Sequence, residues 1–224
     1  MQQFKNLGEV FPSPFRKVAI PLDEMERDIR DVQRPMLSQD EKHEVPGCAE
    51  DLLAVYAGLD LNSEHGKDTP RRFLAMLNEL TSHKNCNGDC MKWKTFPESV
   101  DQMIVVKKIP FYSVCNHHVI PFSGFAWVGY VPDGKVAGLS KFARVLNHFA
   151  RKLQVQEVLT QEVANFLEGH LKPKGLMVVT EAEHFCMTLR GAQVPGTTTR
   201  IVETLGVFAD HSRTAKMEFL EAIK

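Results

Sequence analysis

The chain has 224 residues, is 43% hydrophobic and carries a formal net charge of −1. These values fit a folded globular protein of one or two domains and argue against the broad basic face that non-specific nucleic-acid binding needs. A small anionic substrate is still allowed, because it requires only a few local cations. No apolar run approaches the ~20 residues of a membrane-spanning helix, and the N-terminal segment lacks the apolar core of a secretory signal. Five cysteines, an odd number, give no regular disulfide framework. A cytoplasmic, reducing location is the expectation, and it would keep thiolates available as ligands.

Residues 1–47 are rich in proline and charge, including Phe11-Pro-Ser-Pro14 and Arg34-Pro35, and read as an irregular arm. A helical N-terminal region is expected over residues 48–99. Leu52, Leu53, Val55, Tyr56 and Leu59 give its first apolar helical pattern. Thr69-Pro70 reads as a helix start, with Thr69 capping free amides and Pro70 losing no bond. Phe73, Met76, Leu77 and Leu80 would form the buried face that follows. Cys86 and Cys90 flank Asn-Gly-Asp, with His83 nearby. That spacing favours a turn carrying ordinary cysteines, with a second metal site or a redox pair left open.

From residue 100 the pattern changes. Met103–Val106 and Phe125–Val131 read as strands, and Pro132-Asp133-Gly134 as a turn toward Val136. A helix from Ser140 would bury Phe142, Val145, Leu146 and Phe149, and another from about Glu157 would bury Leu159, Val163, Phe166 and Leu167. Pro173-Lys-Gly175 closes it. Leu176–Val179 then begins a strand that is expected to run through His184 toward Leu189. The order strand, strand, helix, helix, strand, strand predicts an α+β fold, with antiparallel strands and two helices on one face.

Two clusters carry the chemistry. Cys115-Asn-His-His118 and His184-Phe-Cys186 offer two thiols and up to three imidazoles. Cys115, His118 and Cys186 suffice for a Cys2His site, and sulfur favours zinc over magnesium or calcium. Three protein ligands plus an open position make a Lewis acid that activates water; four would make a closed structural site. On a continuous strand His184 and Cys186 would share a face, bringing that imidazole over the metal. His117 and His184 are then proton-transfer candidates, unless one of them fills the fourth position.

Gly138-Leu-Ser-Lys-Phe-Ala-Arg144 places Ser140 and Lys141 at a helix N-terminus, where free amides and the helix dipole favour an anion. Arg144 follows one turn later, and Arg190 adds a fork-shaped donor suited to phosphate. A plain solvated helix face accounts for the same residues. Glu157 could pair with the N1–H and amine of guanine, with Gln156 assisting, although capping or solvation explains both without a ligand.

At Cys115–Phe122, Gly138–Arg144, Leu153–Thr160 and Glu181–Gly191 the sequence resembles the GTP cyclohydrolase I family. The similarity is densest over residues 100–210, and weaker through Asp68–Arg72 and Phe219-Leu220. The resemblance implies a T-fold catalytic domain over residues 100–224 and toroidal decamers of two pentamers with active sites between subunits. It implies zinc on Cys115, His118 and Cys186, catalysis by His117 and His184, and phosphate contacts from Ser140, Lys141, Arg144, Arg190 and a neighbour-facing Arg72. Guanine would fall to Glu157 and Gln156. The implied reaction converts GTP to 7,8-dihydroneopterin triphosphate and formate, the entry to folate, biopterin or 7-deazaguanine synthesis. Asn116 departs from the family pattern, where Glu is common, and so does Lys152, where Arg is common. A T-fold nitrile reductase, a zinc-stabilised assembly protein and a non-catalytic nucleotide binder are the rival readings.

Overall fold

The computed structural model describes residues 47–209 and 214–224, and the expected arm over residues 1–47 lies outside them but for its last position. Helices α1 (Gly47–Ala57) and α2 (Thr69–Leu80) precede strands β1 (Thr95–Pro97), β2 (Ile104–Cys115), β3 (Pro121–Val131) and β4 (Lys135–Ala137). Then come α3 (Ser140–Ala150), β5 (Leu153–Gln154), α4 (Gln156–Leu171) and β6 (Gly175–His184). The single turn α5 (Phe185–Thr188), β7 (Thr198–Gly206) and α6 (Thr214–Ala222) complete the order.

Five strands form one sheet in the order β5-β2-β3-β6-β7, while β1 pairs with β4 separately. The pairing is antiparallel except for the two-residue contact of β5 with β2. The expected turn after β3 is present, and Gly134 takes φ +69° there, a conformation that costs glycine little. A bulge between Val106 and Ile109 interrupts β2, with Lys108 at φ +54°.

Both helices expected on one face are there, with the expected residues inward. Phe142, Val145, Leu146 and Phe149 of α3 and Leu159, Val163, Phe166 and Leu167 of α4 are buried. They pack with Phe111, Phe122, Val128, Tyr130, Leu176 and Val178 of the sheet. Burying each such side chain fully contributes roughly 1.5–3 kcal/mol, so tertiary packing rather than helix propensity holds these helices. The opposite face is covered as well, since Trp127, Met177 and Val179 pack with Phe208 and with Phe219 of α6. With both faces covered, Gly175–Thr180 is buried without interruption. Phe219 of α6 lies over Gly129, where a Cβ would stand 2.3 Å from its ring.

The helical region before β1 departs from expectation in two respects. On α1, Leu52, Val55 and Tyr56 are exposed, the last at 83%, and Met76 on α2 is exposed too. Thr69 is not the cap of α2: it lies inside the helix, and its hydroxyl donates to the His65 carbonyl at 3.1 Å. Pro70 does occupy the first turn, and it is buried. This region is tied to α3 through the His83 amide, which donates to the Arg151 carbonyl at 2.9 Å, and the Arg151 guanidinium, which donates to the Glu79 carbonyl at 3.2 Å.

Candidate metal centre and active site

Cys115 ends β2, and the chain turns at once. The amide of Val119 donates to the Cys115 carbonyl at 2.9 Å, and that of Asn116 donates to the Gln154 carbonyl at 2.9 Å. Val119 pays for this tight turn with φ +54°, which is uncommon for a β-branched residue. The turn swings His118 back toward Cys115. Cys186 arrives from the far side of β3, just after β6. The ligand atoms of Cys115, His118 and Cys186 all lie within 4.8 Å of one another. Both cysteines are free thiols, Cys115 buried and Cys186 half-buried.

The electrostatics fit a cation at this place. Burial and then the neighbouring Cys115 push the Cys186 thiol up, while Arg190 opposes them. Two thiols facing each other hinder one another's ionisation, and a divalent cation between them reverses that penalty. The Cys115 sulfur also lies 3.7 Å from Nδ1 of His117, which is exposed beside it.

One expectation about the second cluster fails. The strand does not continue to Leu189; it ends at His184, and Cys186 sits in the helical turn α5. The shared-face argument for His184 and Cys186 therefore does not hold. Their proximity comes from the tight turn instead, which Thr188 ties down by donating to the His184 carbonyl at 3.3 Å and to Glu183 at 3.1 Å.

His184 is held firmly. Its ring stacks on Phe122 at 4.6 Å with an interplanar angle of 1°. The Gln156 amide nitrogen donates to the Thr180 carbonyl at 3.3 Å, the Thr180 hydroxyl at 3.1 Å and the Thr199 carbonyl at 3.0 Å. Those acceptors orient the amide, so its oxygen faces His184 Nε2 at 2.8 Å. A carbonyl oxygen only accepts, so Nε2 carries the hydrogen and Nδ1 is left to exchange a proton. Burial lowers the His184 pKa, and the nearby Glu157 carboxylate works in the opposite direction.

This changes the reading of Gln156. It is 1% exposed and its side chain is spent inside the chain, so it positions His184 rather than reaching for a base. Glu157, next to it in the first turn of α4, is exposed and free to face a ligand. Ser140 and Arg144 are exposed at the start of α3, and the Lys141 ammonium donates to the Lys92 carbonyl at 2.7 Å. A cavity of about 170 Å³ is lined by Lys92, Trp93, Lys141 and Arg144. Arg190 is exposed close to Cys186. Arg72 pairs instead with Asp68 at 3.1 Å on α2. Phe122, Thr180 and Thr199, which hold the histidine and its amide partner, escape sequence reasoning. Only the Phe122 position, inside the Cys115–Phe122 block, carried any signal.

Comparison with known proteins gives a consistent result. Residues 48–224 match the family model described as GTP cyclohydrolase I. The protein named GTP cyclohydrolase 1 from Sulfurihydrogenibium sp. (strain YO3AOP1) is 45% identical over 168 residues, covering 74% of this chain and 87% of that protein. The one of the same name from Bacillus mycoides (strain KBAB4) is 44% identical over 174 residues, covering 77% and 92%. GTP cyclohydrolase 1 2 from Nostoc sp. (strain PCC 7120 / SAG 25.82 / UTEX 2576) is 42% identical over 173 residues, covering 77% and 80%. The match runs through both halves of the cysteine–histidine cluster and every strand of the large sheet, and the chain belongs to the GTP cyclohydrolase I family of enzymes.

Proposed function

We propose that this protein hydrolyses and rearranges GTP to 7,8-dihydroneopterin triphosphate, releasing C8 as formate, with zinc held by Cys115, His118 and Cys186. The observation that carries the reading is the convergence of those three ligand atoms within 4.8 Å, two residues from a histidine oriented by a buried amide. Two sulfurs and an imidazole suit zinc, and zinc so bound is a Lewis acid that activates water for attack at a carbon such as C8.

The chain's own groups account for the rest. His184, fixed through Nε2, offers Nδ1 to protonate N7 of the purine, which makes C8 electrophilic. Its lowered pKa makes the imidazolium a stronger acid, while Glu157 helps keep it populated. His117, beside Cys115, handles the proton of the attacking water. Glu157 accepts from the N1–H and amine of guanine. Ser140, Lys141, Arg144 and Arg190 take the triphosphate, which leaves the enzyme intact, so these cations bind and do not transfer phosphate. One hydrolysis opens the imidazole ring and a second frees formate. An Amadori-type rearrangement of the ribose then closes the six-membered ring and returns one water.

Arg72 has a part in this proposal only within an assembly. It lies on α2, paired with Asp68, and it serves the site only if a neighbouring subunit supplies it. We assign the chain to a T-fold ring, a decamer of two pentamers, with residues 100–224 as catalytic domain and 48–99 as helical region. Among the described residues no helix is long and apolar enough to cross a membrane.

The test is zinc-loaded protein incubated with GTP while formate and the pterin chromophore are followed. Equal amounts of both are expected. His184→Ala should lower turnover by about 10²–10⁴-fold while keeping its zinc, and Cys186→Ala should lose metal and turnover together. GTP binding with no formate would overturn the proposal, and so would full turnover in metal-free protein.

A further inference from the structure

A second group of soft donors lies apart from the proposed active site. Cys86 and Cys90 belong to the loop between α2 and β1, and His148 belongs to the buried side of α3. Their ligand atoms all fall within 4.8 Å of one another. The loop is built to bring them there. The Cys86 amide donates to the His83 carbonyl at 3.1 Å and the Met91 amide to that of Gly88 at 2.9 Å. Gly88 takes φ +102°, and a Cβ on it would stand 2.8 Å from the Phe166 ring. No larger residue fits this turn against the core.

One imidazole here is set as a ligand is set, and a second, outside the 4.8 Å group, lies against it. His148 is 3% exposed, and its Nε2 lies 3.0 Å from the Cys86 carbonyl, to which it must donate. Nδ1 is then left with a lone pair 4.0 Å from the Cys90 sulfur. A backbone carbonyl fixing one ring nitrogen so that the other faces a metal is the usual second support of a histidine ligand. His83 lies against His148 with ring centroids 4.5 Å apart. Its Nδ1 is buried and has no hydrogen-bond partner. In the structure the two sulfurs are joined as a disulfide, with Cα atoms 6.5 Å apart. That bond gives the orphaned His83 nitrogen no partner.

We propose that the reduced pair Cys86 and Cys90, with His148 and, after a shift of its ring, the neighbouring His83, binds a second zinc ion in a closed structural site. Two sulfurs and two imidazoles make a four-ligand set that excludes water and suits zinc over oxygen-seeking cations. Disulfide and metal are alternative states of the same sulfurs. A phosphine reductant opens the disulfide, taking oxygen from one water and leaving two thiols. Zinc then displaces two thiol protons into solvent. The site clamps the 83–93 segment onto α3, the helix whose Lys141 donates to the Lys92 carbonyl. Its role is therefore to hold the wall of the triphosphate cavity, not to do chemistry.

The experiment is zinc content per chain, measured on full-length protein reduced with a phosphine, loaded with zinc and exhaustively desalted. Reduced wild type is expected to hold one zinc more than the reduced Cys86→Ser/Cys90→Ser double variant, and His83→Gln to hold the extra ion more weakly. The quantity is a difference, so it stands whether or not Cys115, His118 and Cys186 bind metal. A second measurement needs no variant: zinc should slow alkylation of Cys86 and Cys90 in reduced wild type at least tenfold, read by peptide mass spectrometry. Equal zinc in wild type and double variant overturns the proposal. Equal alkylation of Cys86 and Cys90 with and without zinc overturns it as well.

Discussion

Gln156 gives three hydrogen bonds from its amide nitrogen and takes one from His184. Gln156→Ala leaves the Thr199 carbonyl and the imidazole without that partner at a buried position, and should cost about 1–3 kcal/mol in denaturant unfolding. It should also lower kcat with little change in KM, because His184 loses its orientation while Glu157 stays. The same histidine sets a pH dependence. Burial lowers the pKa of His184, and of His83, below the ordinary 6.5. The unfolded chain therefore binds these protons more readily than the folded one, and stability falls as pH drops through and below that value. Urea midpoints measured from about pH 8 to about pH 5.5 should decline, and His184→Gln should flatten part of the slope. At this scale the cluster of Cys115, His118 and Cys186 was legible as a group of donors because Cys115 and His118 are close in sequence and soft donors are rare. The job of Gln156 was not legible, since Thr180 and Thr199 reach it only after β6 and β7 have paired.

Among the elements, the apolar inward positions of α3 and α4 were readable, because a helix lying on a sheet repeats them at helical spacing. The end of β6 was not. His184-Phe-Cys-Met-Thr-Leu189 is apolar enough to pass for more strand, and only the Thr188 bonds to Glu183 and His184 show that the chain has begun to coil. The packing of α6 on the second face was equally hidden, because its key contact joins Phe219 to a glycine ninety residues earlier in sequence. That contact can be tested. Gly129→Ala would drive a methyl into the Phe219 ring and should destabilise by about 1–3 kcal/mol. Phe219→Ala should cost about 3–5 kcal/mol. The double variant should cost less than the sum, and thermal unfolding of all three checks this.

For the molecule as a whole, the residues left over from the core are informative. The apolar positions that predict a buried face on α1 lie exposed on the single chain at Leu52, Val55 and Tyr56. An exposed stripe of this kind is what a covering surface would bury, and the proposed ring would supply one. Val55→Glu combined with Tyr56→Glu should shift sedimentation toward smaller species and lower turnover with it, while the isolated chain keeps its far-ultraviolet dichroism. The sequence pattern recorded that these residues want burial. It could not say against what, because periodicity carries no address.

β7 has a further consequence. It ends the five-strand order, so along Thr198–Gly206 one row of backbone donors and acceptors has no ladder partner among the described residues. Such a rim recruits whatever extended peptide it meets first. A chain with nothing laid against that rim should therefore aggregate sooner than one whose rim is covered, and foreign extended peptide is what it would gather.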